Sequence, residues 1–197
     1  MDEINNIKKN SEDYLENSLE VFKTNKLHLD TIIKISNLCI SSIENGNKIL
    51  FCGNGGSASD ANHLAAEIVG RFLLDRQPLP AVSLSSNPSV LTALSNDFGY
   101  QYVFSKQVEA IGKKDDVIFL ISTSGSSKNI IEAARESKKR GIKTIIFTGS
   151  NVNFLEKYSD FIINIDSDIA AFIQQSHITI GQLICYNIEN YYLNKWK

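Results

Sequence analysis

The stretch Lys48-Ile49-Leu50-Phe51-Cys52-Gly53-Asn54-Gly55-Gly56-Ser57 passes directly from a short apolar run into a loop of glycine, asparagine and serine. A β-rich run of this kind is typical of a strand buried on both faces. The same arrangement recurs where Val117-Ile118-Phe119-Leu120-Ile121 is followed by Ser122-Thr123-Ser124-Gly125-Ser126-Ser127. Each loop leads into a helical pattern, so we expect both loops at the carboxyl ends of parallel strands.

The two loops together predict a phosphate-binding site. Backbone N–H groups at a helix start, joined by serine hydroxyls, can hold a phosphate without a cationic side chain. Neither loop has the glycine spacing of the dinucleotide fingerprint, and no Gly-Lys-Ser/Thr follows to bind the outer phosphates of a nucleotide. One such loop alone would indicate an ordinary turn. Two at equivalent places favour a phosphorylated small molecule as the ligand.

A pair of titratable side chains follows the first loop. Ser59 and Asp60 suit a helix start, and no proline interrupts the apolar stretch 61–72. His63 and Glu67 are four residues apart, so they share one face of this predicted helix. A surface hydrogen bond is the simpler interpretation of an isolated pair. Beside a phosphate loop, the carboxylate can instead move a proton next to a carbonyl, with the imidazole as a second proton handler or a metal ligand.

The last predicted helix carries a polar stripe. Gln174, His177, Gly181 and Gln182 are separated by three, four and one residues, which places them on one face. Isoleucine and leucine supply the other sides, so we expect a well-buried helix whose stripe faces a partner subunit or a wet cavity. We hypothesise that His177 or Gln182 serves the pocket of a neighbouring subunit.

Several segments, taken in order, resemble the phosphoheptose isomerases, which belong to the SIS-domain proteins. These segments are 52–57, 60–67, Gly70-Arg71, 95–99 and 121–127. The similarity covers essentially the whole chain. It implies an α/β three-layer sandwich with a central five-stranded parallel sheet and an N-terminal helical pair. It also implies conversion of sedoheptulose 7-phosphate to D-glycero-D-manno-heptose 7-phosphate through an enediolate, for lipopolysaccharide or capsule heptose.

The resemblance also implies roles for individual residues. Glu67 matches the family's catalytic carboxylate, with His63 beside it. The residues expected to contact the substrate are Asn54, Gly55, Gly56, Ser57, Asn96, Asp97, Ser122, Thr123, Ser124, Ser127, Gln174 and Gln182. His63, Glu67 and Gln174 match residues that bind zinc in some members. Zinc is therefore the cofactor to consider, and no nucleotide or organic cofactor is expected.

The chain departs from the family pattern in the last helix. Phe172-Ile173-Gln174-Gln175 stands where the family usually has Arg-Ile-Gln-Glu, and Gln182 stands where a second catalytic histidine is expected. A glutamine amide can orient a hydroxyl, but it does not exchange protons near neutral pH and binds zinc more weakly than imidazole. Either Glu67 shuttles the proton alone, with His63, His177 or a substrate hydroxyl completing the relay, or the protein does not turn over.

Two other functions stay open at this point. The chain can be a non-catalytic SIS protein that binds a sugar phosphate or a protein partner, which the missing histidine at Gln182 favours. Retention of His63 and Glu67 argues for an enzyme, because an adaptor has no evident need for a proton-transfer pair. The third possibility is an isomerase of another sugar phosphate, with Phe172 and Gln182 marking altered selectivity.

The layout predicts one domain over 1–197, with a helical oligomerisation segment at 1–46 and the sheet core and last helix at 47–197. Predicted strands lie near 48–52, 81–84, 116–122, 143–148 and 161–165. Predicted helices lie near 3–23, 27–45, 59–73, 101–111, 128–140 and 169–193. Such alternation requires right-handed crossovers and a parallel sheet.

Composition limits location and partners. The formal net charge of −2 offers no basic footprint for nucleic acid. No apolar stretch has membrane-spanning length and the amino terminus does not resemble a signal peptide, so we expect a cytoplasmic protein without a membrane partner. Cys39, Cys52 and Cys185 lie in apolar surroundings and are interpreted as core residues. Apolar surface on the early and last helices predicts a homo-oligomer, and the resemblance implies a tetramer.

Overall fold

A parallel sheet of five strands forms the centre of the computed structural model, which describes residues 2–152 and 154–195. The strands are β1 (Ile49–Gly53), β2 (Ala81–Ser83), β3 (Val117–Ser122), β4 (Lys143–Thr148) and β5 (Phe161–Asn164). Their order is β2-β1-β3-β4-β5, and all neighbours run parallel. Gly53 of β1 pairs with Ile121 of β3, so the two loops leave the sheet side by side. The predicted parallel five-stranded sheet is confirmed.

Helices cover both faces of this sheet. They are α1 (Asp2–Lys23), α2 (Leu29–Glu44), α3 (Gly56–Val69), α4 (Pro88–Phe98), α5 (Ser105–Ile111), α6 (Lys128–Lys139) and α7 (Ala170–Lys195). One core joins α2, α3 and α7 to the sheet, and a second core joins α5 and α6 to its other face. Strands β1 and β3 are buried along their whole length, because each is covered on both sides. The predicted three-layer sandwich is confirmed.

Some helix boundaries differ from the predicted ones. Helix α3 begins at Gly56 rather than Ser59, because Gly55 takes a positive φ of 54° and turns the loop directly into the helix. It ends at Val69 rather than near residue 73. The helix predicted over 101–111 is reduced to α5, preceded by a single 3-10 turn at Tyr100–Tyr102.

Helix α4 was not predicted, although its start has a readable sequence signal. The Asn87 side chain accepts a hydrogen bond from the backbone N–H of Val90 at 3.1 Å, and Pro88 occupies the first helical turn. Asparagine before proline is a favoured helix start. The helix carries Asn96 and Asp97 to the carboxyl edge of the sheet, next to the turn that contains Tyr100.

Two of the departures from the family pattern contact α1. The Phe172 ring is 3% exposed and packs edge-on against Tyr14, with centroids 4.9 Å apart. The Ser18 hydroxyl donates to Gln175 Oε1 at 2.5 Å. Both positions therefore dock α1 onto α7. The contact with Tyr14 gives Phe172 a packing role between these two helices.

The structure also shows the state of the three cysteines and the character of the helices. Cys39, Cys52 and Cys185 are all buried and free, which confirms their interpretation as core residues. Within the described ranges, no helix combines the length and the apolar character that crossing a membrane requires.

Candidate functional site

The serine loop after β3 forms a cradle at the start of α6. Its turn is closed by Gly125, whose φ is 64° and whose N–H donates to the Ser122 carbonyl at 3.1 Å. The Ser122 hydroxyl lies 3.2 Å from that of Ser127, which is the residue immediately before α6. Ser124 is exposed beside them. Hydroxyls and the first N–H groups of α6 thus converge on one spot, as a phosphate site requires.

A reciprocal amide pair joins the two loops. Asn54 Nδ2 donates to Asn129 Oδ1 at 2.9 Å, and Asn129 Nδ2 donates to Asn54 Oδ1 at 2.8 Å. The Tyr100 hydroxyl also donates to Asn54 Oδ1, at 2.8 Å. Two donors already occupy that oxygen, so Asn54 can offer a ligand only its remaining N–H. Asn129 and Tyr100 therefore join the candidate site. The sequence did not reveal them, since each lies far from Asn54 along the chain.

Two cavities flank the serine loop. The larger, of about 530 Å³, is lined by Asn54, Gly99, Tyr100, Gln101, Ser127, Lys128 and Asn129. The smaller, of about 290 Å³, is lined by Thr123, Ser124, Ser150, Asn151, Ser167, Asp168, Ala170 and Ile173. A further cavity of about 520 Å³ lies at the opposite edge of the sheet, away from both loops, and includes Asn47, Lys114 and Lys143. The first two give a sugar phosphate room on either side of the cradle.

Gln174, a predicted substrate contact, lies against the first loop. A Cβ at Gly56 would lie 2.4 Å from Gln174 Nε2, so only glycine lets the amide approach this closely. The Ser57 side chain next to it is buried. The Gln174 amide therefore lies at the mouth of the first loop, where it can donate to a ligand oxygen.

His63 and Glu67 form a contact on the exposed side of α3. His63 Nε2 is 2.9 Å from Glu67 Oε1, and the two side chains are 49% and 18% exposed. Asp60 lies one turn earlier, with Oδ2 buried and without a hydrogen-bond partner among the described residues. Burial raises the pKa of Asp60 to about 6, although attraction to His63 opposes the shift. The predicted shared face is present, and Asp60 adds a second carboxyl group to it.

Within one chain, Glu67 is remote from the mouth of the first loop. Glu67 follows Gly56 by eleven residues of continuous helix, which corresponds to about 16 Å along the axis. Gln174, at the level of Gly56, is therefore not assembled with His63 and Glu67 in a single chain. Across residues 2–152 and 154–195, no three His, Cys, Asp or Glu side chains group to hold a metal ion. Asp60 is thus not grouped with His63 and Glu67 as a ligand, and the imidazole and carboxylate of that pair fall short of the three protein ligands typical of catalytic zinc.

The predicted polar stripe of α7 is wrong for His177 and Gly181. His177 is fully buried, donates through Nε2 to the Thr148 carbonyl at 3.1 Å, and lies 5.4 Å from the Phe147 ring. Burial lowers the pKa of His177 to about 4. Gly181 packs against Leu64, whose Cδ1 would lie 2.5 Å from an added Cβ. This side of α7 faces the sheet and α3, so His177 can neither complete a proton relay nor reach a neighbouring subunit.

The remaining predicted residues lie at the end of α4 and on α7. Asn96 Nδ2 donates to Asp97 Oδ1 at 2.9 Å, and both side chains are exposed at the end of α4. The turn that follows places Tyr100 against Asn54, and Gly99 and Tyr100 of this turn, rather than Asn96 and Asp97, line the larger cavity. Gln182 is half-buried, two turns along α7 from Gln174.

Comparison with known proteins gives consistent results. A family model described as SIS domain matches residues 13–149. The chain is 46% identical over 163 residues to a probable phosphoheptose isomerase of Thermoplasma acidophilum, covering 83% of this chain and 90% of that protein. It is 45% identical over 177 residues to a phosphoheptose isomerase of Helicobacter pylori strain P12, covering 89% and 92%. The solved structure of phosphoheptose isomerase GmhA from Neisseria gonorrhoeae superposes with a TM-score of 0.88 at 34% identity, covering 93% and 99%.

Proposed function

Because this chain belongs to the SIS-domain family, and within it to the phosphoheptose isomerases, we propose that it converts sedoheptulose 7-phosphate to D-glycero-D-manno-heptose 7-phosphate. The observation that carries the proposal is the His63–Glu67 contact on α3 in a chain that also keeps the serine cradle. A proton-transfer pair and a phosphate cradle are the two parts that an aldose–ketose isomerase of a sugar phosphate needs.

Substrate binding follows from the cradle. The phosphate accepts hydrogen bonds from the hydroxyls of Ser122, Ser124 and Ser127 and from N–H groups at the start of α6. The free N–H of Asn54 and the amide of Gln174 then donate to oxygens of the open-chain sugar. These contacts fix both ends of an extended ligand without a cationic side chain in the cradle itself.

The Glu67 carboxylate carries the proton. It removes a proton from C1 of the ketose as the C2 carbonyl becomes an enediolate oxygen, and it returns the proton to C2 as C1 becomes the aldehyde. A hydroxyl proton passes from O1 to O2, which balances the reaction. Both carbons present the same face to one base, so a second base at position 182 is not required. Amide N–H groups, including that of Gln174, stabilise the enediolate oxygen.

The distance between Glu67 and the first loop implies a composite site. About 16 Å of helix separates Glu67 from Gly56 in one chain, and α1 leaves large apolar side chains exposed, namely Ile4, Ile7, Leu15, Leu19 and Phe22. We infer that the protein is a homo-oligomer, a tetramer by family similarity, in which His63 and Glu67 of one chain face the cradle of another. Burial of the α1 surface supplies the driving force for assembly.

Mixing two inactive variants tests the composite site. Glu67→Gln lacks the base, and the double variant Ser124→Ala, Ser127→Ala lacks part of the cradle. Co-expressed in equal amounts, they should form mixed oligomers in which about one quarter of the sites are intact, because each site draws its two halves from different chains. The measurement is the turnover of sedoheptulose 7-phosphate by the co-purified protein. Activity no higher than that of the separate variants would place both halves in one chain.

The donor set does not favour a tightly bound zinc ion, even in a composite site. Among the described residues, Asp60 does not group with His63 and Glu67 to hold a metal ion, so the set offers one imidazole, one carboxylate and the amides of Gln174 and Gln182. Amides are poor zinc ligands. We therefore expect a chelator to leave kcat essentially unchanged, whereas Gln182→His should raise the affinity for zinc. Turnover with and without chelator, and metal analysis of both proteins, provide the measurement. Turnover that is lost with chelator and restored by zinc would contradict this expectation.

A second function is favoured by one observation, the glutamine at 182 in place of the expected histidine. In that case the protein binds a sugar phosphate and does not turn it over. Incubation with sedoheptulose 7-phosphate separates the two, because only an isomerase generates the aldose. Binding measured by calorimetry in the absence of any conversion would support the binding protein.

The isomerase would supply heptose for lipopolysaccharide or capsule, and we place it in the cytoplasm, where sugar phosphates are made.

A further inference from the structure

A buried carboxylate on α7 holds the segment that follows α3. Glu189 is 2% exposed, and its two oxygens accept hydrogen bonds from the backbone N–H groups of Phe72, Leu73 and Leu74 at 2.8, 2.8 and 3.3 Å. Arg76, whose side chain is 1% exposed, places Nε 3.3 Å from Glu189 Oε1. The charge of Glu189 is thus compensated by three amides and a guanidinium, as a buried carboxylate requires.

Arg76 connects this buried group to the end of α3. Its Nη2 donates to the backbone carbonyl of Glu67 at 2.6 Å, and its Nη1 donates to the Gln77 carbonyl at 3.0 Å. The Glu67 carbonyl is among the last four of α3, which lack partners inside a helix. Arg76 therefore caps the turn that carries Glu67, and Glu189 holds Arg76 in place.

We propose that Arg76 and Glu189 are positioning residues for the carboxylate of Glu67. They act through the backbone and do not touch the substrate. The last turn of α3 sets the direction of the Glu67 side chain and its contact with His63. Small displacements of a reacting group can cost about a hundredfold in rate. The proposal rests on the proposed isomerase activity, with Glu67 as its base.

Arg76→Lys is the direct test. Lysine keeps a positive charge near Glu189, but one ammonium nitrogen cannot occupy the separate positions from which the three guanidinium nitrogens contact Glu189 and the carbonyls of Glu67 and Gln77. We expect kcat for sedoheptulose 7-phosphate to fall by about tenfold to a hundredfold. The Kd of the sugar phosphate and the number of binding sites per chain should stay at wild-type values, because the phosphate cradle lies at the start of α6 and Arg76 follows the far end of α3. Calorimetric titration of the same samples supplies both numbers.

Glu189→Gln and Arg140→Lys complete the experiment. Glu189→Gln removes the charge that holds Arg76 in place and should lower kcat in the same way. Arg140 instead pairs with Glu136 on the surface, so Arg140→Lys should leave kcat and Kd unchanged. Wild-type kcat in Arg76→Lys, or a loss of kcat matched by an equal loss of binding sites in both buried variants, would overturn the proposal. A wild-type protein without turnover would instead refute the isomerase activity itself.

Discussion

Glu67→Gln should lower kcat for sedoheptulose 7-phosphate by about a thousandfold, within the range that general acid–base catalysis contributes. Glutamine has the same shape and can still accept from His63, but its amide cannot take a proton from carbon. The substrate should bind with a Kd close to that of the wild type, because the phosphate is held by the serine loop. Rates of aldose formation and calorimetric titration measure the two effects separately.

A matched control for this variant is Glu109→Gln. Glu109 pairs with Lys106 on the surface of α5 and has no contact with either loop. It should therefore leave both kcat and Kd unchanged. If Glu67→Gln turned over as fast as Glu109→Gln, another group would have to be the base.

Gly125→Ala should be the most damaging single change in the phosphate cradle. Gly125 has a φ of 64°, and an added Cβ would lie 2.0 Å from the backbone oxygen of Asn151. Strain from the left-handed backbone and steric overlap together should cost about 2–5 kcal/mol of unfolding free energy. The loop must also open to relieve the overlap, so affinity for the sugar phosphate should fall. Chemical denaturation and titration with sugar phosphate are the measurements.

Gly46→Ala separates the two causes. Gly46 has a φ of 78°, but no atom lies within 4 Å of its would-be Cβ. This variant should lose only the backbone contribution of about 1–2 kcal/mol and bind the sugar phosphate normally. Equal losses of stability in the two variants would show that the contact with Asn151 relaxes at no cost.

The parts of the site that were predictable depend on local patterns. The apolar run 49–52 and the glycines after it indicate a buried strand and a loop from neighbouring residues alone. The spacing of His63 and Glu67 fixes their shared face, because helix geometry is the same everywhere. The prediction that His177 faces a cavity or a partner subunit was wrong for the same reason, since spacing identifies a face of a helix but not what packs against it.

The contacts that were missed join residues far apart along the chain. Asn129 reaches Asn54 across 75 residues, and Glu189 reaches Phe72 across 117. A polar residue on an apolar helix gives no sign of which distant amide will satisfy it. Its partner is known only once the helices are packed on the sheet.

Local chemistry in the chain was enough to establish the alternating strands and helices, the two loops and the shared helix face of His63 and Glu67, since turns and helix faces depend on near neighbours. Tertiary packing alone decided that His177 belongs to the core, that Asn129 joins the loops, and that Glu67 lies a helix length from Gly56. Those outcomes depend on how α3 and α7 lie against the sheet, and that arrangement minimises unpaired polar groups and exposed apolar surface over the whole molecule at once.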